Sequence, residues 1–217
     1  MKSILIIGMG RFGRHLANKF QSLGNDVMIV DKDENIINSL SSKYTEAFAG
    51  DCTNEDVIKS LGINNFDICF VTIGDNFQSS LEITSLLKEH NANYIVSKAT
   101  VDMQAKFLKQ IGANEVVYPE KDMAENMAIK YNNNNVFDYI AIADDCAIFE
   151  TIILKSWANR TIVDIDVRKN YNINIVAVRR NGEIYSAIGP DFVFEENDHI
   201  IILGDHKSVQ RLTKSKN

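Results

Sequence analysis

Apolar residues follow two rhythms over the first 131 positions. Short runs dense in Ile and Val alternate with longer segments whose apolar residues recur every three or four positions. The short runs predict strands at Ser3–Ile7, 26–30, Glu46–Ala49, 68–73, 94–97 and 115–118. The longer segments predict helices at 11–23, 33–42, 54–61, 78–90, Asp102–Ile111 and 120–131. Leu16, Phe20 and Leu23 share one face of the first helix, and 68–73 is apolar throughout, as for a strand covered on both faces. Thr53 or Asn54 is placed to cap the third helix, and Gly62 and Gly112 are placed to stop the third and fifth. Pro119 ends the sixth strand, and Met123 and Met127 lie four apart on one side of the helix after it. Strands alternating with helices imply an α/β fold, a Rossmann-like doubly wound parallel sheet.

Four consecutive asparagines at 132–135 break this pattern, because such a run favours turns. They set a domain boundary: a nucleotide-binding domain at 1–131, a linker at 132–137 and a second, small α+β domain at 138–217. In that second domain strands are predicted at 138–142, 147–154, 173–179 and 199–203, with short helices at 162–167 and 207–214. Asn181-Gly182 between two apolar strands predicts a hairpin.

The first strand runs into Gly8-Met-Gly10-Arg11-Phe12-Gly13, a G-x-G-x-x-G loop that opens a helix, and Asp31 closes the next strand. This context, rather than the glycines alone, is the dinucleotide fingerprint. Gly8 allows a tight turn, Gly10 lets the backbone approach phosphates, and Gly13 lets the helix pack on the sheet. Amides at the helix start then face an anion. Asp31 can accept two hydrogen bonds from a ribose diol and would repel a 2′-phosphate, which disfavours NADP. The alternative is a glycine turn that binds nothing. Arg11 is placed to reach a phosphate that the backbone leaves unsatisfied, or else faces solvent at a helix start. Other strand ends carry polar residues: Gly50-Asp51 after the third, Gly74-Asp75-Asn76 after the fourth, Ser97-Lys98 after the fifth and Glu120 after the sixth. Each is also compatible with an ordinary turn or cap. Asp51 is placed for an adenine amino group or ribose hydroxyl and Lys98 for a phosphate. Glu120 is placed to hold a divalent cation against phosphates or to orient Arg11 of a neighbouring subunit.

Charge narrows the classes. The 217 residues carry 23 Lys and Arg against 29 Asp and Glu, a net charge of −6, which argues against non-specific nucleic-acid binding. No apolar run reaches the roughly 18–20 residues of a membrane span. Cys52, Cys69 and Cys146 are far apart and form no metal or disulfide spacing, as for reduced cysteines of a cytosolic protein. His15, His90, His199 and His206 adjoin no evident catalytic partner, and no hydrolase nucleophile motif occurs. A nucleotide fold without visible chemistry points to a sensor. An NAD(H)-dependent oxidoreductase, or an NADH redox sensor with a non-transport partner, stays open.

These residues resemble a known family. Gly8–Gly13, Val30-Asp31, Ala49-Gly50-Asp51, the segment 71–80, Ser97-Lys98-Ala99, Tyr118-Pro119-Glu120-Lys121-Asp122-Met123 and the run 195–204 are similar to the cytosolic gating subunits of Ktr/Trk potassium uptake systems, the KtrA/TrkA group of RCK (regulator of potassium conductance) proteins. The resemblance implies a non-enzymatic regulator that gates a membrane potassium pore subunit of KtrB/TrkH type, without membrane insertion or nucleic acid. Homodimers would assemble into a ring, usually an octamer, at the inner face of the cell membrane. ATP or ADP, or in some members NAD or NADH, would bind at Gly8, Gly10, Arg11, Phe12, Gly13, Asp31, Lys32, Asp51, Cys52, Ile73, Gly74, Asp75, Lys98 and Glu120. Arg11 would contact the γ-phosphate of nucleotide in the adjacent subunit, and Glu120 would bind Mg2+ or another divalent cation. Cyclic di-AMP would bind the second domain at Ile162, Asp166, Val167, Arg168, Ile175 and Pro190. Lys169 and Asn172 depart from the family pattern, which has a smaller residue and a glycine there.

Overall fold

The computed structural model describes residues 1–132, 136–143 and 145–214, the side chains of 213 and 214 excepted. Most of the asparagine run, 133–135, lies outside the described residues. The chain divides into two compact units, Met1–Lys121 and Asp122–Asn217.

In the first unit β1 (Ser3–Ile7), β2 (Asp26–Asp31), β3 (Glu46–Ala49), β4 (Ile68–Val71), β5 (Ile95–Lys98) and β6 (Glu115–Val117) form one parallel sheet in the order β3-β2-β1-β4-β5-β6. The helices between them are α1 (Arg11–Ser22), α2 (Glu34–Leu40), α3 (Glu55–Ser60), α4 (Phe77–Glu89) and α5 (Asp102–Ile111), and α6 (Pro119–Asn132) follows β6. The continuous apolar run of β1 has a two-sided reason. Ile4 and Ile6 enter one core cluster with Ala17, Val27 and Ile29. Leu5 and Ile7 enter another with Val30, Val71, Ile83 and Leu87. Burying each such side chain contributes about 1.5–3 kcal/mol.

The ends of the elements differ from expectation for local reasons. The helix expected at 11–23 stops at Ser22, and Leu23 is 62% exposed, so the apolar face shortens to Leu16 and Phe20, whose ring meets Phe70 at 5.3 Å. The strand expected at 68–73 ends at Val71, and the Thr72 hydroxyl beyond it reaches the Ile7 and Gly8 carbonyls. Asn54 rather than Thr53 caps α3, accepting from the Asp56 amide, and Gly62 follows in a left-handed conformation. Pro119 opens α6 as its first residue, a position where its missing N–H has no intrahelical role.

In the second unit β7 (Val136–Ala143), β8 (Cys146–Ile152), β9 (Ile173–Arg180), β10 (Glu183–Tyr185) and β11 (His199–Asp205) form an antiparallel sheet in the order β10-β9-β11-β8-β7. It packs a core that includes Phe149, Trp157, Phe194 and Ile200. Asn181 and Gly182 both have positive φ, 53° and 88°, and connect the β9–β10 hairpin as the dipeptide predicts. The helix expected at 162–167 is instead two short ones, α7 (Ile162–Ile165) and α8 (Val167–Tyr171), split where Asp166 turns left-handed at φ 49°. A third helix, α9 (His206–Lys214), closes the unit.

Candidate functional site

The strand order reverses between β1 and β4, so the chain leaves their carboxyl ends in opposite directions and opens a crevice where ligands bind in such sheets. The glycine loop sits there, and its glycines have different jobs. Gly8 has φ +98°, and a Cβ on it would lie 2.9 Å from Ile73 Cγ1. A Cβ on Gly13 would lie 2.1 Å from the Gly8 carbonyl oxygen and 2.7 Å from Thr72 Oγ1. Gly10, the N-cap of α1, would meet nothing within 4 Å. Two glycines therefore close the loop against the sheet, and the middle one leaves open space beside amides that have no intrahelical acceptor.

Side chains hold this loop. Thr72 Oγ1 donates to the Gly8 carbonyl at 2.5 Å, and Arg14 Nε donates to the Met9 carbonyl at 2.7 Å. The Met9 amide donates to Asp31 Oδ2 at 2.6 Å, and the Asp33 amide donates to Asp31 Oδ1 at 2.9 Å. Each Asp31 oxygen still has a lone pair, so a ribose diol can be accepted by a carboxylate that is already fixed. The Gly50 amide donates to the Asp31 carbonyl, which brings Asp51 to the same edge. Asp51 accepts from the Thr53 amide and hydroxyl, which hold its carboxyl below the usual range, and the charge of Lys32 adds to this. Cys52 follows Asp51 in the chain. It is buried in the core, and burial, followed by the charges of Asp51 and Asp31, pushes its thiol up to about 12.

Across the crevice Lys98 Nζ meets Glu120 Oε1 at 2.6 Å. The same ammonium lies 5.7 Å from the Phe12 ring centroid, beside the first turn of α1. It also crowds Gly74, whose Cβ would lie 3.3 Å from Nζ. The hydrogen bond from Lys98 holds the Glu120 carboxyl below its ordinary value, and the charge of Arg11 acts in the same direction. That Arg11 belongs to the same chain. Arg11, Phe12, Gly74, Lys98 and Glu120 thus lie together, while Asp75 is exposed just before Asn76, which caps α4 by accepting from the Ser79 amide. Among the described residues no three His, Cys, Asp or Glu side chains converge as a metal site.

Backbone amides at Gly10, a fixed ribose-type carboxylate and a lysine beside the helix start fit an adenosine phosphate. Comparison with known proteins shows the family. The TrkA-N domain model matches residues 4–119 and the TrkA-C domain model matches residues 151–217. The chain is 36% identical to the Ktr system potassium uptake protein C of Bacillus subtilis, over 98% of this chain and 96% of that one. It is 34% identical to the Ktr system potassium uptake protein A of the same organism, over 97% and 95%. The chain belongs to the KtrA/TrkA family. Its fold is also that of the GsuK channel bound to NAD, at a TM-score of 0.71 and 16% identity, covering all of this chain and 40% of that one. The chain therefore spans less than half of that channel.

The residues expected to hold a second ligand lie in the second unit. Ile162 and Ile175 are half-buried against its core, while Asp166, Arg168 and Pro190 are exposed. Val167 is 5% exposed and its side chain belongs to the core. The departure at Asn172 has a conformational reason. Its φ of 55° is left-handed, a position that favours glycine and that asparagine also tolerates. Its side-chain Nδ2 donates to Asp205 Oδ2 at 3.1 Å.

Several contributors were not visible in the sequence. Thr72 and Arg14 hold the loop, and the only hint was one hydroxyl at the end of an apolar run. The histidines are also better partnered than the sequence indicated: His90 meets Glu55 at 3.2 Å, and His199 meets Glu150 at 2.9 Å. Arg179 joins Glu150 at 3.1 Å. Among the described residues no helix is long and apolar enough to cross a membrane.

Proposed function

We propose that this chain is the nucleotide-binding regulatory subunit of a potassium uptake system. The observation that carries this reading is the open Gly10 cradle, with Asp31 and Asp51 on one side and Lys98 on the other. The names of its full-length relatives, potassium uptake proteins, supply the physiological context. The ligand is an adenosine phosphate, ATP or ADP, with NAD or NADH as the variant that Asp31 equally suits. A bound nucleotide supplies charge and shape rather than chemistry, and the protein is not an enzyme. The α1 amides hold phosphate oxygens, Asp31 accepts ribose hydroxyls, and Lys98 and Arg11 counter the remaining charge. Glu120 takes Mg2+ or another divalent cation beside the phosphates.

Such binding gates a pore only through a difference in affinity between two conformations. The chain acts as a homodimer within a ring, an octamer in the family pattern, beneath a KtrB/TrkH-type pore subunit at the inner face of the membrane. In the second unit Arg168, near the half-buried Ile162, supports cyclic di-AMP as a second ligand.

Thermal shifts with ATP, ADP, NAD, NADH and cyclic di-AMP test the ligand assignment. A ligand at about 100 times its dissociation constant stabilises by about 2.7 kcal/mol. Shifts with ATP and ADP that disappear in Asp31→Ala are expected, and no shift with any adenosine phosphate would refute the reading. Arg11→Ala should weaken ATP more than ADP; equal losses would remove Arg11 from γ-phosphate recognition. Restoration of potassium uptake in cells lacking their own regulatory subunit tests the physiology. Substrate-dependent NADH turnover would favour an oxidoreductase instead.

A further inference from the structure

We propose that Glu120 is an internal competitor for the anionic ligand: its carboxylate occupies the Lys98 ammonium that a nucleotide phosphate takes on binding. This rests on the nucleotide reading above and goes on to the regulation of the same site.

The argument starts from unequal burial. The Lys98 side chain is 11% exposed and the Glu120 side chain is 62% exposed, at a separation of 2.6 Å. A buried ammonium cannot lose its partner without a replacement anion, because burial without a partner is costly. An exposed carboxylate can swing into water at little cost. Glu120 is therefore the partner that moves, and Lys98 the one that stays. The Lys98 ammonium also faces the Phe12 ring in the first turn of α1, next to the amides that would hold phosphate. A phosphate on those amides and the Glu120 carboxylate thus seek the same cation. Arg11 deepens the competition, since Glu120 also lies within its field. Once displaced, Glu120 would stand as a second negative charge beside the phosphates. A divalent cation would relieve that repulsion, so the test is made without one.

The experiment is calorimetric titration of the full-length chain with ADP in EDTA, for wild type, Glu120→Gln, Lys98→Met and the double variant. Glu120→Gln should tighten ADP about fivefold, the scale of one partly exposed ion pair. Lys98→Met should weaken it about tenfold, the scale of one charge-assisted hydrogen bond. The decisive result is the double variant: in the Lys98→Met background, Glu120→Gln should add nothing. A gain that persists there would mean a general field effect and would overturn the proposal, as would a Glu120→Gln variant that binds no tighter than wild type. If Lys98→Met does not fold, Lys98→Arg keeps the cation and should keep the Glu120→Gln gain, and loss of that gain would count against competition. If ADP binds and responds to Lys98 but not to Glu120, competition alone fails. If neither ADP nor NAD binds any variant, the nucleotide reading fails with it.

Discussion

Gly10 and Gly13 belong to one motif, yet alanine at each should fail differently. At Gly13 the new Cβ would lie 2.1 Å from the Gly8 carbonyl oxygen. A carbon–oxygen contact needs about 3.3 Å, so α1 would have to move off the sheet by about 1 Å or more. Neither neighbour can yield cheaply. The Gly8 carbonyl is backbone, and Thr72 Oγ1, at 2.7 Å from the same Cβ, is bonded to that carbonyl. Overpacking of this kind costs about 1–3 kcal/mol or more. At about 2–4 °C per kcal/mol for a chain of this size, Gly13→Ala should lower the melting temperature by about 2–12 °C. Gly10 differs: its φ of −65° and ψ of −175° suit alanine, and nothing lies within 4 Å. Gly10→Ala should melt within about 2 °C of wild type, the effect of under one kcal/mol. It should nevertheless weaken nucleotide binding, because its methyl enters the space for phosphate. Calorimetric melting and ADP titration of both variants separate the two cases. A Gly13→Ala protein as stable as wild type, or a stable Gly10→Ala protein with undiminished affinity, would refute this division of roles.

Three further outcomes are expected. Asp198 is fully buried and forks onto Arg180, Oδ1 to Nε at 2.8 Å and Oδ2 to Nη2 at 2.7 Å, so Asp198→Ala should cost about 3–5 kcal/mol in denaturant unfolding; a loss under about 1 kcal/mol would show the pair to be dispensable. Asp205 accepts from the Ser208 hydroxyl and amide, which lowers its folded pKa below 3.8; its stabilisation is therefore present above the unfolded value and lost as pH falls through the folded one. Asp205→Asn should be less stable than wild type at pH 7 and converge with it in acid, and a pH-independent gap would contradict the assignment. Burial pushes the Cys52 and Cys69 thiols up to about 12, so at pH 8 a thiol reagent should label Cys146 alone in the native protein and all three cysteines after denaturation; fast native labelling of Cys52 would contradict its place in the core.

What the sequence showed depended on the range of the interaction. The glycine loop was legible because each glycine answers a local demand, and Asp31 because it ends a strand beside that loop. Thr72 was not legible: it reads as the tail of an apolar strand, and its role exists only because β1 and β4 are neighbours. Leu23 misled for the opposite reason, since spacing put it on the apolar face of a helix that had already ended. The split at Asp166 could not be seen either, because a left-handed aspartate leaves no mark in an amphipathic pattern. Lys98 and Glu120 were each located at a strand end, but their ion pair joins residues 22 positions apart.

That ion pair also bears on how α6 begins. None of the residues of Pro119–Asn132 is buried, and Met123, Met127 and Tyr131 are 59%, 48% and 73% exposed. A helix of 14 residues with no fully buried side chain is marginal by itself. Its last turn packs Ile129 against the second unit's core and pairs Lys130 with Asp138 at 3.7 Å, while its first turn has a proline whose φ is already helical, an acidic side chain favoured by the helix dipole, and two ion pairs. Lys98 meets Glu120 at 2.6 Å, and Lys121 meets Asp102 at 2.9 Å. The second pair is largely exposed and contributes little. The first has a buried partner and is the stronger tether. The carboxylate that meets the phosphate-facing lysine is therefore also the main anchor of the helix start. Displacing it would loosen the first turn of α6, a local response to ligand that hydrogen exchange of the amides at 120–124 would register as faster exchange with ADP in EDTA. Unchanged or slower exchange would show that the turn does not depend on the pair.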